Sequence, residues 1–194
     1  MILDNLRNYD ILLGSKSPRR RELLQMLRIP FTVANIEGVN EDYPDTMPPF
    51  DVPRYLSEKK ADAYLKRLHS NELVITADTL VILEDKIFGK PKDTDEAVEM
   101  LMELSGKIHQ VVTGVTIATH RQRTSFNSVT DVKFCELSRD EARYYADSFN
   151  PIDKAGAYGI QEWIGGVAVE YIKGSFYNVM GLPIHRLYQH LKEF

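Results

Sequence analysis

The chain has 194 residues, 43% hydrophobic and 27% charged, with 24 Lys and Arg against 28 Asp and Glu for a net charge of −4. Such a length buries roughly 70% of the surface its unfolded form exposes, and the single cysteine, Cys135, excludes an internal disulfide framework and a Cys-x-x-Cys metal knuckle. The acidic balance excludes a broadly basic surface for nucleic acid or anionic membrane, no run approaches the ~18 apolar residues of a bilayer span, and Asp4, Arg7 and Asp10 interrupt any signal-peptide core, so a cytoplasmic protein is expected.

Ile11-Leu12-Leu13 predicts a short buried strand that stops at Gly14. Ser17 and Pro18 open a helix, because serine caps free N–H groups and proline fits the first helical position; Leu23, Leu24 and Leu27 share a face, and the helix ends near Arg28. Phe31 to Ala34 reads as a second strand, followed by a polar, acid-rich stretch from Glu37 to Pro53 that is the expected mobile loop. Helical spacing over Arg54 to Leu68 precedes Leu73 to Ile75 and Leu80 to Leu83, expected as paired or continuous strand. Asp93-x-x-Glu96 resembles a capping box before an amphipathic helix closed by Gly106. His109 to Thr119 and Phe126 to Leu137 alternate as a strand pair, and a helix runs from about Ser138 to Ser148. Asp153 to Gln161 is glycine-punctuated and reads as too polar for a core, Val167 to Ile172 reads as a strand, and Pro183 begins a closing helix through Leu191. Without a repeat, low-complexity tract or linker, one mixed α/β domain over residues 1–194 is expected.

Chemistry first shows at Gly14-Ser15-Lys16-Ser17-Pro18-Arg19-Arg20-Arg21, a strand-to-helix turn. Backbone N–H groups at a helix N-terminus suit a phosphate, and positive charge there opposes the helix dipole at about 0.3–1 kcal/mol each, so these cations ask for an anion. The alternative is a solvated basic first turn, and neither Walker nor Rossmann spacing is present. Carboxylates are the second signal: Asp78 after an apolar strand, and Glu41-Asp42 in the polar stretch. With a divalent ion such acids neutralise a triphosphate and activate water, whereas a cap role for Asp78 and solvated charge for Glu41 and Asp42 are the plain alternatives. Lys90, between Gly89 and Pro91, and Lys60, on a helix otherwise facing solvent, are phosphate binders or ordinary exposed lysines. The five histidines lack metal-ligand spacing, and His185 and His190 read as helix surface.

In combination, Ser15-x-Ser17-Pro18-Arg19-Arg20 with Glu22-Leu23-Leu24, Ala77-Asp78-Thr79, Gly89-Lys90-Pro91, Leu104-Ser105-Gly106-x-x-His109, Asp153 through Gln161, and Gly174-Ser175 through Asn178-Val179-x-Gly181-Leu182-Pro183 resemble the ordered motif set of the Maf family of nucleoside triphosphate pyrophosphatases. The resemblance spans nearly the whole chain. It implies the Maf/inosine-triphosphatase-like fold, an elongated mixed β-sheet flanked by helices with the active-site cleft between two lobes, in a homodimer. It also implies hydrolysis of a nucleoside triphosphate to the monophosphate and pyrophosphate with a divalent cation, Mg²⁺ or Mn²⁺. The Ala157-Tyr158-Gly159-Ile160-Gln161 run resembles the branch acting on dTTP and UTP rather than on 7-methylguanosine triphosphate. On that resemblance Asp78 is the proton acceptor and Arg19, Thr79 and Gln161 select the base. Ser15, Ser17, Arg20, Lys60, Lys90, Asp153 and Lys154 complete the substrate site, and Glu41 and Asp78 hold the metal. The chain departs from the common pattern at Asn40, Thr76 and Phe176.

The residues agree with the resemblance chemically. A carboxamide such as that of Gln161 accepts from N3–H and donates to O4 of uracil or thymine, while its flipped form suits cytosine, so neighbours such as Arg19 must fix its orientation. A pyrophosphatase for modified purine nucleotides and a non-catalytic nucleotide-binding regulator of cell division stay open as alternatives. No nucleic-acid or membrane partner is expected.

Overall fold

The apolar run before Gly14 forms strand β1 (Asp10–Gly14) in a computed structural model that describes residues 3–35 and 38–194. Glu37, at the start of the expected loop, lies outside the described residues. Seven strands form one mixed sheet in the order β2 (Thr32–Ala34), β1, β3 (Glu72–Leu83), β5 (Ile108–Ala118), β6 (Arg123–Phe134) and β7 (Val169–Lys173), with β4 (Lys86–Phe88) paired to β3. β1 runs parallel to β2 and β3, while β4 and β7 lie antiparallel to β3 and β6. Helices α1 (Pro18–Gln25), α2 (Val52–Leu65), α3 (Thr94–Leu104), α4 (Arg139–Phe149), α5 (Trp163–Val167), α6 (Phe176–Val179) and α7 (Ile184–Lys192) alternate with the strands, the α/β class that the sequence predicts. Among the described residues no helix is long and apolar enough to cross a membrane.

The chain divides into two compact units, one of Met1–Asp78, Thr113–Ser128 and Gly181–Phe194, the other of Thr79–Val112 and Val129–Met180. In the first, α2 carries Ala61 and Tyr64 onto Val74 and Ala118. Its first turn is set by contact with β5: a Cβ on Gly114 would stand 2.2 Å from both Pro53 C and Arg54 N, so glycine alone admits the helix there. Hydroxyls fasten the same helix. Ser57 Oγ donates to Arg54 O at 2.7 Å, which leaves it to accept from Thr116 Oγ1 at 2.8 Å, and Thr76 Oγ1 donates to Ser57 O at 2.7 Å. In the second unit, Phe88, Leu101, Leu104, Phe134, Tyr145 and Ile164 belong to one buried cluster beneath α3 and α4.

β3 is continuous, one of the two forms expected for it, because its β-branched run is buried on every residue from Leu73 to Asp78. Other elements differ from the sequence reading. α2 begins at Val52, with Pro53 inside its first turn rather than closing a loop, since proline there gives up no hydrogen bond. Asp93 caps α3 by accepting from Glu96 N at 2.8 Å, but the Glu96 carboxylate takes Lys92 N–H at 2.6 Å, so the box is not reciprocal; Ser138 and Glu141 form the reciprocal one. Asp153 to Gln161 is not too polar for a core: 3-10 turns bury Lys154 and Gly156 to Ile160, because alanine and glycine leave room for close backbone packing and Lys154 finds acids. The strand expected from Val167 begins at Val169, after the short α5.

Candidate active site

Asp78 lies in β3 three residues beyond Ile75, which pairs with Leu13 where β1 is about to end. It stands at the carboxyl end of the parallel β1 pairing although its own strand continues, which corrects the expectation of an acid at a strand terminus. Lys60, on α2, reaches it: Nζ is 2.5 Å from Asp78 Oδ1 and 2.9 Å from Glu41 Oε1. The side chains of Lys60 and Asp78 are 16% and 13% exposed, so Lys60 is not an ordinary solvent-facing lysine. Asn40 Oδ1 accepts from Asp42 N at 2.7 Å, bending the chain around Glu41, and Lys59 Nζ donates to Asp42 O at 2.6 Å. The consecutive lysines of α2 thus hold both the backbone and the carboxylate of the 40–42 segment, and the asparagine departure shapes a turn.

The basic turn is organised by the same unit. Ser17 caps α1, accepting from Arg20 N at 3.4 Å, and its own N–H donates to Ser15 Oγ at 3.2 Å. Arg20 folds inward, donating from Nε to Gly181 O and from Nη1 to Ala77 O, both at 2.8 Å. Burial pulls its guanidinium below the ordinary value, opposed by Asp78 and Glu41, and the neighbouring Arg19 adds to the depression. The counter-charge that this turn asked for is thus supplied in part by the two carboxylates, and Arg20 spends donors on backbone carbonyls, which fixes Ala77 next to Asp78.

Residues of the second unit are placed separately. Thr79 follows Asp78 on β3 and is half-buried; Lys90 is exposed, and its turn is tied to the 153–157 segment by Gly156 N–H donating to Gly89 O at 3.0 Å. Lys154 is 8% exposed at its side chain and pairs with Asp153 Oδ1 at 2.8 Å and Glu162 Oε1 at 3.2 Å. Gln161 is exposed on the turn that follows. His109, of the Ser105-Gly106-x-x-His109 motif, is in the core: Nε2 is 2.8 Å from the Tyr158 hydroxyl, the ring lies edge-to-face on Phe134 and Tyr158, and burial lowers its pKa to about 4. Glu162 was absent from the sequence reading, because only the turn between them brings it to Lys154.

The donor set can be tested for a divalent cation. Among the described residues no group of three or more His, Cys, Asp and Glu is arranged to hold a metal. Two carboxylates do converge on one cation, with the Lys60 ammonium as the stand-in, and Mg²⁺ is commonly held by one or two carboxylates plus substrate phosphates. Glu41 and Asp78 fit that arrangement and not a closed all-protein cage.

The profile of the Maf-like protein family matches residues 10–194. Proteins named dTTP/UTP pyrophosphatase from Phocaeicola vulgatus and Bacteroides thetaiotaomicron are each 50% identical over 192 residues, covering 99% of this chain and 100% of theirs. One of the same name from Christiangramia forsetii is 42% identical over 193 residues, covering 100% of this chain and 98% of its own. Among solved structures, a HAM1 protein from Coxiella burnetii shares the fold, with a TM-score of 0.53 at 13% identity over 96% of this chain and 100% of that one. The chain belongs to the Maf-like protein family.

Proposed function

We propose that this protein is a nucleoside triphosphate pyrophosphatase that hydrolyses dTTP and UTP to the nucleoside monophosphate and pyrophosphate. Full-length identity of 50% to proteins named for that activity supports the substrate class. One geometric observation carries the chemistry: a single ammonium, Lys60 Nζ, bridges the carboxylates of Asp78 and Glu41 beside Arg20. Such a set answers both halves of a phosphoanhydride cleavage, cations for the phosphate chain and a carboxylate for the water. Asp78 orients the water and takes its proton as the oxygen bonds to the α-phosphorus; the bond from that phosphorus to the bridging oxygen breaks, and pyrophosphate leaves.

Arg19, Lys60 and Lys90 take phosphate charge, with Ser15 and Ser17 shaping the turn, and Arg20 acts by its charge and by fixing Ala77. Glu41 and Asp78 would hold a divalent cation, Mg²⁺ or Mn²⁺, which supplies charge neutralisation at the phosphate oxygens when bound. Thr79 and Gln161, with Arg19, read the base, and Asp153 and Lys154 support that side of the site. The working form is a cytoplasmic homodimer. The test is pyrophosphate release from dTTP, UTP, CTP, ATP, GTP and 7-methyl-GTP, with and without Mg²⁺ or Mn²⁺. Metal-dependent preference for dTTP and UTP is expected; preference for 7-methyl-GTP overturns the branch, and silence across the panel moves the reading to a nucleotide-binding regulator.

A further inference from the structure

Gln161 sits on a four-residue turn, Gly159 to Glu162, closed by Glu162 N–H donating to Gly159 O at 3.0 Å. One buried hydroxyl grips both ends of that turn. Tyr145 Oη, from α4, accepts from Gly159 N–H at 3.0 Å and donates to the Glu162 carboxylate. The other oxygen of Glu162 takes Lys154 Nζ at 3.2 Å. A Cβ on Gly159 would stand 2.9 Å from Glu162 Cδ and one on Gly165 1.7 Å from Ile160 O, so glycine at both positions is what admits the carboxylate and the carbonyl preceding Gln161 this close to the backbone. Tyr145 itself is fully buried and stacked on Phe149 with ring centroids 5.1 Å apart.

We infer that Tyr145 and Glu162 are positioning residues for base selection, holding the Gly159 to Glu162 turn in the one conformation from which the Gln161 carboxamide distinguishes uracil and thymine from cytosine. The inference rests on the dTTP and UTP reading. An amide that can flip or drift offers cytosine its complementary pattern, so discrimination needs a rigid carrier as much as the right side chain. Burial, with donation to Glu162, raises the Tyr145 hydroxyl above its ordinary value, which keeps it a donor throughout the working pH range. Tyr145 Oη bonds to Gly159 and Glu162, the two ends of the turn, and its effect on Gln161 passes through that turn.

The experiment compares kcat and KM for UTP and CTP in wild type, Tyr145→Phe, Glu162→Ala and Glu162→Gln, with thermal unfolding of each. Tyr145→Phe keeps the ring and removes the grip, and the UTP-to-CTP ratio of kcat/KM is expected to fall ~10-fold, mainly through KM for UTP. Glu162→Ala repeats that loss from a partly exposed position and carries the test if Tyr145→Phe does not fold. Glu162→Gln, which still accepts from Tyr145, restores most of the ratio. A merely structural role would lower the unfolding temperature and both substrates' rates in parallel. An unchanged ratio in folded Tyr145→Phe and Glu162→Ala, beside a wild type that prefers UTP, overturns this inference alone; a wild type with no pyrimidine preference overturns the substrate reading and this inference with it.

Discussion

Lys60 in one compact unit and Tyr145 in the other are both polar groups under cover with two partners, yet they are held by different physics. Around Lys60 charge answers charge: two carboxylates on one ammonium, and Arg20 pulled between burial and the same acids. Around Tyr145 the bonds are directional, one from the neutral Gly159 N–H and one to the Glu162 carboxylate, and elsewhere in that unit they join neutral groups, where His109 meets the Tyr158 hydroxyl and where Asn178 Nδ2 donates to Val111 O at 2.9 Å. Ion pairs exchange partners readily when a charged ligand arrives, so they suit the side of a site that meets phosphates. Reading the edge of a base needs fixed directions, which buried hydrogen bonds supply with little dependence on salt.

Asp78→Asn strikes the charged half hardest: UTP turnover is expected to fall at least ~10²-fold while calorimetric nucleotide binding survives, and a near-normal rate would remove Asp78 from the chemistry. The neutral half has its own weakness, acid. His109 takes a proton at 6.5 when unfolded but only at about 4 when buried, so its contribution is whole above pH 6.5, drains as pH falls toward 4, and levels off below. The loss is about 3 kcal/mol, and guanidinium titrations at pH 7 and 4.5 should show a shallower fall for His109→Gln than for wild type; equal falls would clear His109 of the acid sensitivity.

Smaller effects sharpen the contrast. Gly114→Ala presses a methyl group onto the first turn of α2 and should cost about 1–3 kcal/mol in urea unfolding, with activity lost alongside because α2 carries Lys60. Unaltered stability would mean that the helix start can shift freely. Lys60→Met should raise KM for UTP ~10-fold, the worth of a charge-assisted hydrogen bond, and should leave two carboxylates without their internal cation. Its unfolding temperature should therefore respond to Mg²⁺ more than that of wild type; an equal response would deny that Lys60 stands in the cation's place.

Much of the fold was legible because its determinants are local. Ser17 and Asp93 cap the helices that the sequence has them cap, since a side-chain oxygen needs only the N–H three residues on. Asp153 to Gln161 was misread because hydropathy counts polarity and not fit: alanine and glycine bury well when the backbone is the packing surface. Candidate residues were visible as types at motif positions. Their partners were not, and Lys60 in particular could be taken for a surface lysine until the contact of α2 with Gly114 brought it to Asp78.

By itself, then, the chain's order of motifs determined the α/β class, the family and the acids and cations that carry charge, because hydrophobic period, capping and residue type are written within a few positions of one another. Only the tertiary structure decided that Lys60 bridges Asp78 and Glu41, that His109 is a neutral core group, and that Tyr145 grips the turn bearing Gln161. Those pairings join residues 14 to 49 positions apart, and at such separations a partner is chosen by how helices and strands pack, not by anything that its neighbours in sequence reveal.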